Sequence, residues 1–149
     1  MCYYTGEGRD EVARAVRNTV QRKLVLDIVR ERRDHPTAEQ VFEVARQRDC
    51  RISRGTVYRN LNLLSELGEL KRLSMPVGAD HFDIQSDNHY HFCCRGCGTV
   101  TDAMLPYREE FNRVPDALTG YKIEWHRLVL VGLCPECQKK ENDHNKQEE

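Results

Sequence analysis

The chain has 149 residues, 39% of them hydrophobic and 32% charged, with a formal net charge of −1, which is room for one ordinary domain or two small ones. No apolar run approaches the length needed to span a bilayer. The opening segment through Gly6 lacks the basic and apolar regions of a signal peptide, so no membrane association and a cytoplasmic location are the expectations.

The charge is unevenly spread. Residues 1–72 carry 15 Lys and Arg against 11 Asp and Glu, while residues 73–149 carry 8 against 13. A basic half facing an anionic partner fits that asymmetry, as does plain scatter of surface charges. Seven cysteines without a secretory signal point to metal ligands or reactive thiols rather than a disulfide framework.

In chain order, residues 9–17 read as a short helix with Val12, Ala13 and Val16 on one face. Thr19 then caps a longer helix, in which Val20, Leu24, Val25, Ile28 and Val29 recur at helical spacing. Pro36, Thr37 and Gln40 form a helix-start signature with a capping box. Ala38, Val41, Phe42 and Ala45 make that helix's buried face. His35 lies just outside the start, and its local context reads as an exposed loop histidine. A third helix runs from an N-cap at Ser53 to a C′ glycine at Gly68. Val57, Leu61, Leu64 and Leu67 form its apolar face, and Arg54, Tyr58 and Asn62 the opposite stripe, with Gly55 and Arg59 beside it. Ser53, Arg54, Thr56, Tyr58 and Arg59 offer phosphate donors and a base-contacting ring together, although such a stripe is more often merely solvated.

Residues 69–73 and 81–84 read as two short strands. Helices followed by such a hairpin make a winged helix-turn-helix whose last helix enters the major groove. One reading helix gives one half-site, so a homodimer on a two-fold symmetric, inverted-repeat duplex is expected. Beyond Asn88 the pattern becomes strands at 89–93, 99–103 and a long 121–133, with a helix from Pro106 to Val114. That describes a small α/β dimerisation domain whose exposed strand edges offer a pairing surface. The polar tail is expected to be disordered. The expected architecture is α+β: residues 1–84 a winged-helix DNA-binding domain, a hinge at about 80–88, residues 85–140 the metal-binding dimerisation domain, and residues 141–149 the tail.

Cys94, Cys97, Cys134 and Cys137 form two Cys-x-x-Cys turns separated by 36 residues. Thiolates at i, i+3 point to one centre, and two such turns complete a tetrahedral shell suited to structural zinc. A redox pair or buried free thiols are the competing readings. Cys2, Cys50 and Cys93 stay unassigned, with Cys93 most simply a packing residue. Asp83, His89, His91 and Asp102 make a second constellation. His89 and His91 share a strand face, and two imidazoles with two carboxylates suit Fe(II) or Mn(II).

These residues resemble the ferric uptake regulator superfamily of bacterial metal-dependent repressors over nearly the whole chain. The resemblance is carried by His35-Pro36-Thr37-Ala38-Glu39, Thr56-Val57-Tyr58-Arg59-Asn60-Leu61, His89-Tyr90-His91, Cys94-x-x-Cys97-Gly98, His126-Arg127-Leu128 and Cys134-x-x-Cys137. Within that superfamily the chain looks like the peroxide-responsive repressor branch. The resemblance implies a regulatory Fe(II) or Mn(II) held by His35, Asp83, His89, His91 and Asp102, so His35 moves from loop residue to ligand. It also implies release from DNA by iron-catalysed oxidation of His35 or His89. Iron-sensing members usually carry glutamate where this chain has Asp102. Arg17 occupies the place of a basic residue that reaches the minor groove, Tyr58 that of a thymine contact, and Arg59 that of a phosphate contact. Asn88 and Tyr90 replace two ligands of the superfamily's additional site, leaving Glu109 and His126 as half of it, and no third metal is expected. The nearest rival is an iron-level sensor of the same superfamily, and a remote one is a non-haem iron enzyme. The expectation is a regulator, not an enzyme.

Overall fold

The computed structural model describes residues 7–85, 87–113 and 118–145, with the side chains of 7–16 and 144–145 outside the described set. The chain divides into two compact units. One comprises Met1–Leu73 with Asp80–Gln85, the other Ser74–Ala79 with Ser86–Glu149.

The first unit is three helices and a two-stranded wing. Helix α1 spans Glu7–Glu31, α2 Ala38–Arg48 and α3 Arg54–Glu66, and strands β1 (Lys71–Leu73) and β2 (His81–Asp83) pair antiparallel. Its core is the expected set: Val25, Ile28 and Val29 of α1, Val41, Phe42 and Ala45 of α2, and Val57, Leu61 and Leu64 of α3, closed by Leu70 and Phe82. Full burial of each Val, Leu, Ile or Phe among them contributes about 1.5–3 kcal/mol.

Both inner helices start where their caps predict. Thr37 Oγ1 accepts from Gln40 N–H while the Gln40 side chain accepts from Thr37 N–H. Ser53 Oγ accepts from Thr56 N–H. At the end of α3, Gly68 takes a φ of +74°. The N–H groups of Glu69 and Gly68 return to the carbonyls of Leu64 and Ser65 at 2.9 and 3.1 Å, the double closure of a Schellman motif.

Two expectations fail at helix ends and one in a helix interior. Thr19 caps nothing, because α1 runs unbroken through it; Arg17, Asn18 and Thr19 each cost a helix only tenths of a kcal/mol, and no Pro or Gly interrupts them. Val20 is 62% exposed, off the buried stripe, and Leu67 is 58% exposed because it is the C-cap residue, where the chain turns away from the core. Val12, Ala13 and Val16 lie outside the described side chains.

The second unit holds a three-stranded sheet in the order β4-β3-β5, with β3 Tyr90–Cys94, β4 Val100–Ala103 and β5 Val129–Gly132. Strands β3 and β4 are antiparallel, β3 and β5 parallel. His89 immediately precedes β3 rather than opening it. The long strand expected at 121–133 is only its last part. Val129 pairs with His91, next to the start of β3, and the Leu128 carbonyl accepts from the His91 N–H at 3.2 Å, so β3 offers residues 121–127 nothing further to extend along. The helix expected from Pro106 is a single 3-10 turn, Glu109–Asn112. Pro106 has no N–H, and the Arg108 N–H donates to the Tyr90 hydroxyl at 2.9 Å instead of to a helix; Val114 is outside the described residues.

The polar tail is also corrected. Residues through 145 form helix α4, Pro135–Asn145, with proline at the first position where its missing donor costs nothing and Lys139 reaching Glu136 at 3.3 Å. Residues 146–149 lie outside the description. No helix among the described residues is long and apolar enough to cross a membrane.

Candidate metal sites and nucleic-acid interface

The four cysteines come together. One sulfur from each of Cys94, Cys97, Cys134 and Cys137 lies within 4.8 Å of the others. Cys94 ends β3, and the turn after it is closed by Gly98 N–H to Cys94 carbonyl at 2.8 Å and Cys94 N–H to Thr99 carbonyl at 2.9 Å. The second pair sits at the start of α4. Arg95 N–H to Gly132 carbonyl, 2.8 Å, ties the first turn to the end of β5 and so to the second pair.

Only glycine fits at position 96. A Cβ there would come 2.9 Å from Cys137 Sγ and 3.1 Å from Leu133 Cδ2. The backbone N–H of Cys134, 3.3 Å from its sulfur, together with those of Cys97 and Gly96, holds the Cys94 thiol down at about 6. The Thr99 hydroxyl lowers Cys97 as well. The neighbouring Cys134 sulfur, and then burial, push Cys137 up to about 12. Protein groups alone therefore stabilise the first thiolates of the cluster and resist the last. A soft divalent cation removes that resistance, because it binds all four as thiolates. Donor set, tight cradle and shared centre fit a closed zinc site. Cys93, next to the cluster, is fully buried in packing, and burial raises its thiol. Cys50 is exposed; Cys2 is outside the described residues.

The five expected regulatory ligands fall into two groups, one in each unit. In the first unit, His35 and Asp83 are both buried, with Nε2 and Oδ1 3.7 Å apart. His35 carries a positive φ of 49°, in the left-handed region that residues with side chains seldom adopt. Strand β2 holds it there. Phe82 N–H donates to Pro36 carbonyl at 3.0 Å, and the His81 ring Nδ1 donates to the His35 carbonyl. Asp83 Oδ1 in turn accepts from Gln85 N–H at 2.9 Å.

In the second unit, β4 places Asp102 directly across from His91. Asp102 Oδ1 lies 3.2 Å from His89 Nε2 and 3.8 Å from His91 Nε2, and the two imidazoles are 4.4 Å apart between centroids. His89 Nδ1 donates to the Asp87 carbonyl at 3.1 Å. A bond from Nδ1 to a backbone carbonyl is the usual outer support of a histidine that ligates through Nε2.

Sequence reasoning missed His81. Its alternation with Asp83 along one strand was the available signal, but nothing local says that its ring reaches a carbonyl 46 residues upstream. His126 is engaged in a polar cluster: Nε2 with Tyr90 hydroxyl at 2.8 Å, and Nδ1 with Asn112 Oδ1 at 2.7 Å and Tyr107 hydroxyl at 3.0 Å.

On α3, Arg54, Tyr58 and Asn62 are exposed, as the stripe predicts, and Asn60 is buried. Arg54 is drawn back toward α2, with Nη2 2.8 Å from Glu39 and its guanidinium 5.2 Å above the Phe42 ring. Tyr58 stands 44% exposed. Arg59 Nη2 donates to Thr56 Oγ1 at 3.1 Å, and Arg17 is exposed on α1.

A family model described as the ferric uptake regulator family matches residues 13–131. The chain is 35% identical over 127 residues, 85% of its length and 88% of the relative's, to the peroxide operon regulator of Bacillus subtilis strain 168. It is 33% identical over 125 residues, 84% of each chain, to the peroxide-responsive repressor PerR of Staphylococcus aureus strain USA300. The Campylobacter jejuni peroxide stress regulator shares the fold, with a TM-score of 0.68 at 24% identity over 87% of this chain and 97% of that one.

Proposed function

The chain belongs to the ferric uptake regulator family, and from that premise we propose that it is a metal-dependent, DNA-binding transcriptional repressor that responds to hydrogen peroxide. Zinc on the four cysteines stabilises the second unit. A regulatory Fe(II) or Mn(II) takes His35 and Asp83 from the first unit and His89, His91 and Asp102 from the second. Drawing ligands from both units makes metal occupancy select the DNA-binding arrangement, since a ligand shifts an equilibrium by its differential affinity for the two states.

The observation that carries the peroxide reading is the short carboxylate at position 102, paired across the sheet with His91 and 3.2 Å from His89 Nε2. Identity to two named peroxide regulators supports it. Bound Fe(II) supplies one-electron reduction of peroxide next to an imidazole, and Mn(II) does not. His35 and His89 are the imidazoles whose oxidation ends metal binding and releases DNA. This is a regulator rather than an enzyme, because its own side chain is what reacts, and it works where the DNA is, in the cytoplasm.

A homodimer presents two copies of α3 to an inverted repeat. The second unit supports that arrangement with a β5 edge that no strand among the described residues pairs, and with exposed Phe111, Tyr121, Trp125 and Val131, surface of the kind that pairs subunits. Duplex affinity of the Fe(II) and Mn(II) forms, measured before and after peroxide, tests the reading. Loss of binding by the iron form alone supports it. Equal behaviour of the two forms overturns peroxide sensing in favour of a metal-level sensor. Asp102→Glu keeps metal-dependent binding and blunts the response to peroxide.

A further inference from the structure

The first unit contains a polar recess of about 630 Å³ at the junction of α1, the α2–α3 turn and the first turns of α3. Four arginines line it: Arg17 and Arg22 from α1, Arg51 from the turn and Arg59 from α3. No aspartate or glutamate does. Among the described residues no carboxylate pairs with Arg17, Arg22 or Arg59; Arg51 has only an exposed contact to Asp49 at 3.7 Å. Asp49 is already engaged by the Gln21 amide at 3.1 Å and the Arg51 N–H at 3.0 Å.

On this face Arg22 is half-buried and Arg59 exposed. Arg22 has its Nε–H buried without a hydrogen-bond partner among the described residues, a donor whose desolvation nothing in the protein offsets. Arg59 is folded back along the start of α3. Its Nη2 is held by Thr56 Oγ1, that hydroxyl lies 2.9 Å from Ser53 Oγ, and a Cβ at Gly55 would come 3.3 Å from Nη1. Arg54 shows the contrast, with its charge answered by Glu39 and Phe42.

Four arginines lining one recess, no acidic residue among its lining and a buried spare donor on Arg22 describe a seat for an oxyanion, and arginine is the side chain suited to phosphate. We infer that this recess seats DNA backbone phosphate beside the groove that α3 enters, with Arg22 and Arg51 as phosphate ligands alongside Arg17 and Arg59. Thr56 is a positioning residue here: its hydroxyl sets the Arg59 guanidinium. Duplex DNA is the occupant because the recess adjoins the exposed Tyr58 face of the same helix. The inference rests on the proposed DNA-binding function.

The test uses the full-length Mn(II)-loaded chain, a duplex that it selects from a random pool, and an unrelated duplex. Affinity is followed against potassium chloride concentration for the wild type, Arg51→Gln, Arg22→Gln and Tyr58→Ala. Each lost phosphate contact lowers the slope of log K against log salt by about 0.9. Arg51→Gln and Arg22→Gln are expected to show that drop and to weaken both duplexes alike, leaving their affinity ratio unchanged. Tyr58→Ala is expected to reduce the ratio instead. Arg51 is on the surface, so its variant reports even where Arg22→Gln disturbs packing. Unchanged slopes in a wild type that does bind DNA overturn the phosphate seat and leave the DNA-binding reading standing. So does a loss confined to the selected duplex, or tight capture of inorganic phosphate with no effect of either variant on DNA. A wild type that binds neither duplex removes both.

Discussion

His35 is the residue at which local sequence and structure part most clearly. Read by itself it is an exposed loop histidine, yet it is 4% exposed and carries a φ of 49°. Such a conformation costs about 1–3 kcal/mol and persists only where the surroundings fix it. The fixing groups, His81 and Phe82, come from a strand 46 residues further along, so no window around His35 contains the cause. Only the family resemblance promotes it to a ligand. His81→Ala is therefore expected to weaken regulatory-metal binding by about 10–100-fold, the usual effect of losing an outer hydrogen bond to a ligand, with four-cysteine zinc content unchanged. Titration with Mn(II) and metal analysis of the same sample check this; unaltered Mn(II) affinity would reduce His81 to packing. Gly96 is the opposite case, since the Cys-x-x-Cys turn is legible in the sequence while the 2.9 Å approach of Cys137 that demands glycine is not.

At the scale of elements, what could be read was what is encoded within a few residues. The capping box at Thr37, the N-cap at Ser53 and the left-handed Gly68 set both ends of the α2–α3 pair, and all three are present. Thr37→Ala and Ser53→Ala are each expected to cost about 1 kcal/mol in urea unfolding followed by helical circular dichroism. Thr19→Ala is expected to cost no such amount, because Thr19 lies inside α1 rather than at its start. Elements set by distant partners were not legible. The length of β5 is decided by where β3 begins, and the helix expected after Pro106 gives way to a 3-10 turn whose preceding N–H goes to Tyr90. The continuous α1 differs from the expectation for another reason: a potential cap residue such as Thr19 ends a helix only where a breaker stands beside it, and none does.

Over the whole molecule, the four-cysteine cluster ties the β3–β4 turn to the start of α4, and the Arg95–Gly132 bond joins the same turn to the end of β5. Zinc in small modules supplies apparent binding energy of about 10–16 kcal/mol. Cys94→Ser, or zinc removal by a strong chelator, is expected to unfold the second unit and abolish the proposed dimer in sedimentation, while the helices of the first unit remain. A stable zinc-free dimer would show that the sheet and its apolar surface suffice. The proposed function turns on iron, bound by His35, Asp83, His89, His91 and Asp102, making peroxide oxidise the protein's own imidazoles. Mass spectrometry of the peptides carrying His35 and His89, after parallel exposure of the Fe(II) and Mn(II) forms to peroxide, tests that claim most directly. One added oxygen on His35 or His89 in the iron form and none in the manganese form is expected; an iron form that leaves DNA with both histidines unmodified, or a manganese form equally oxidised, rules the proposed mechanism out.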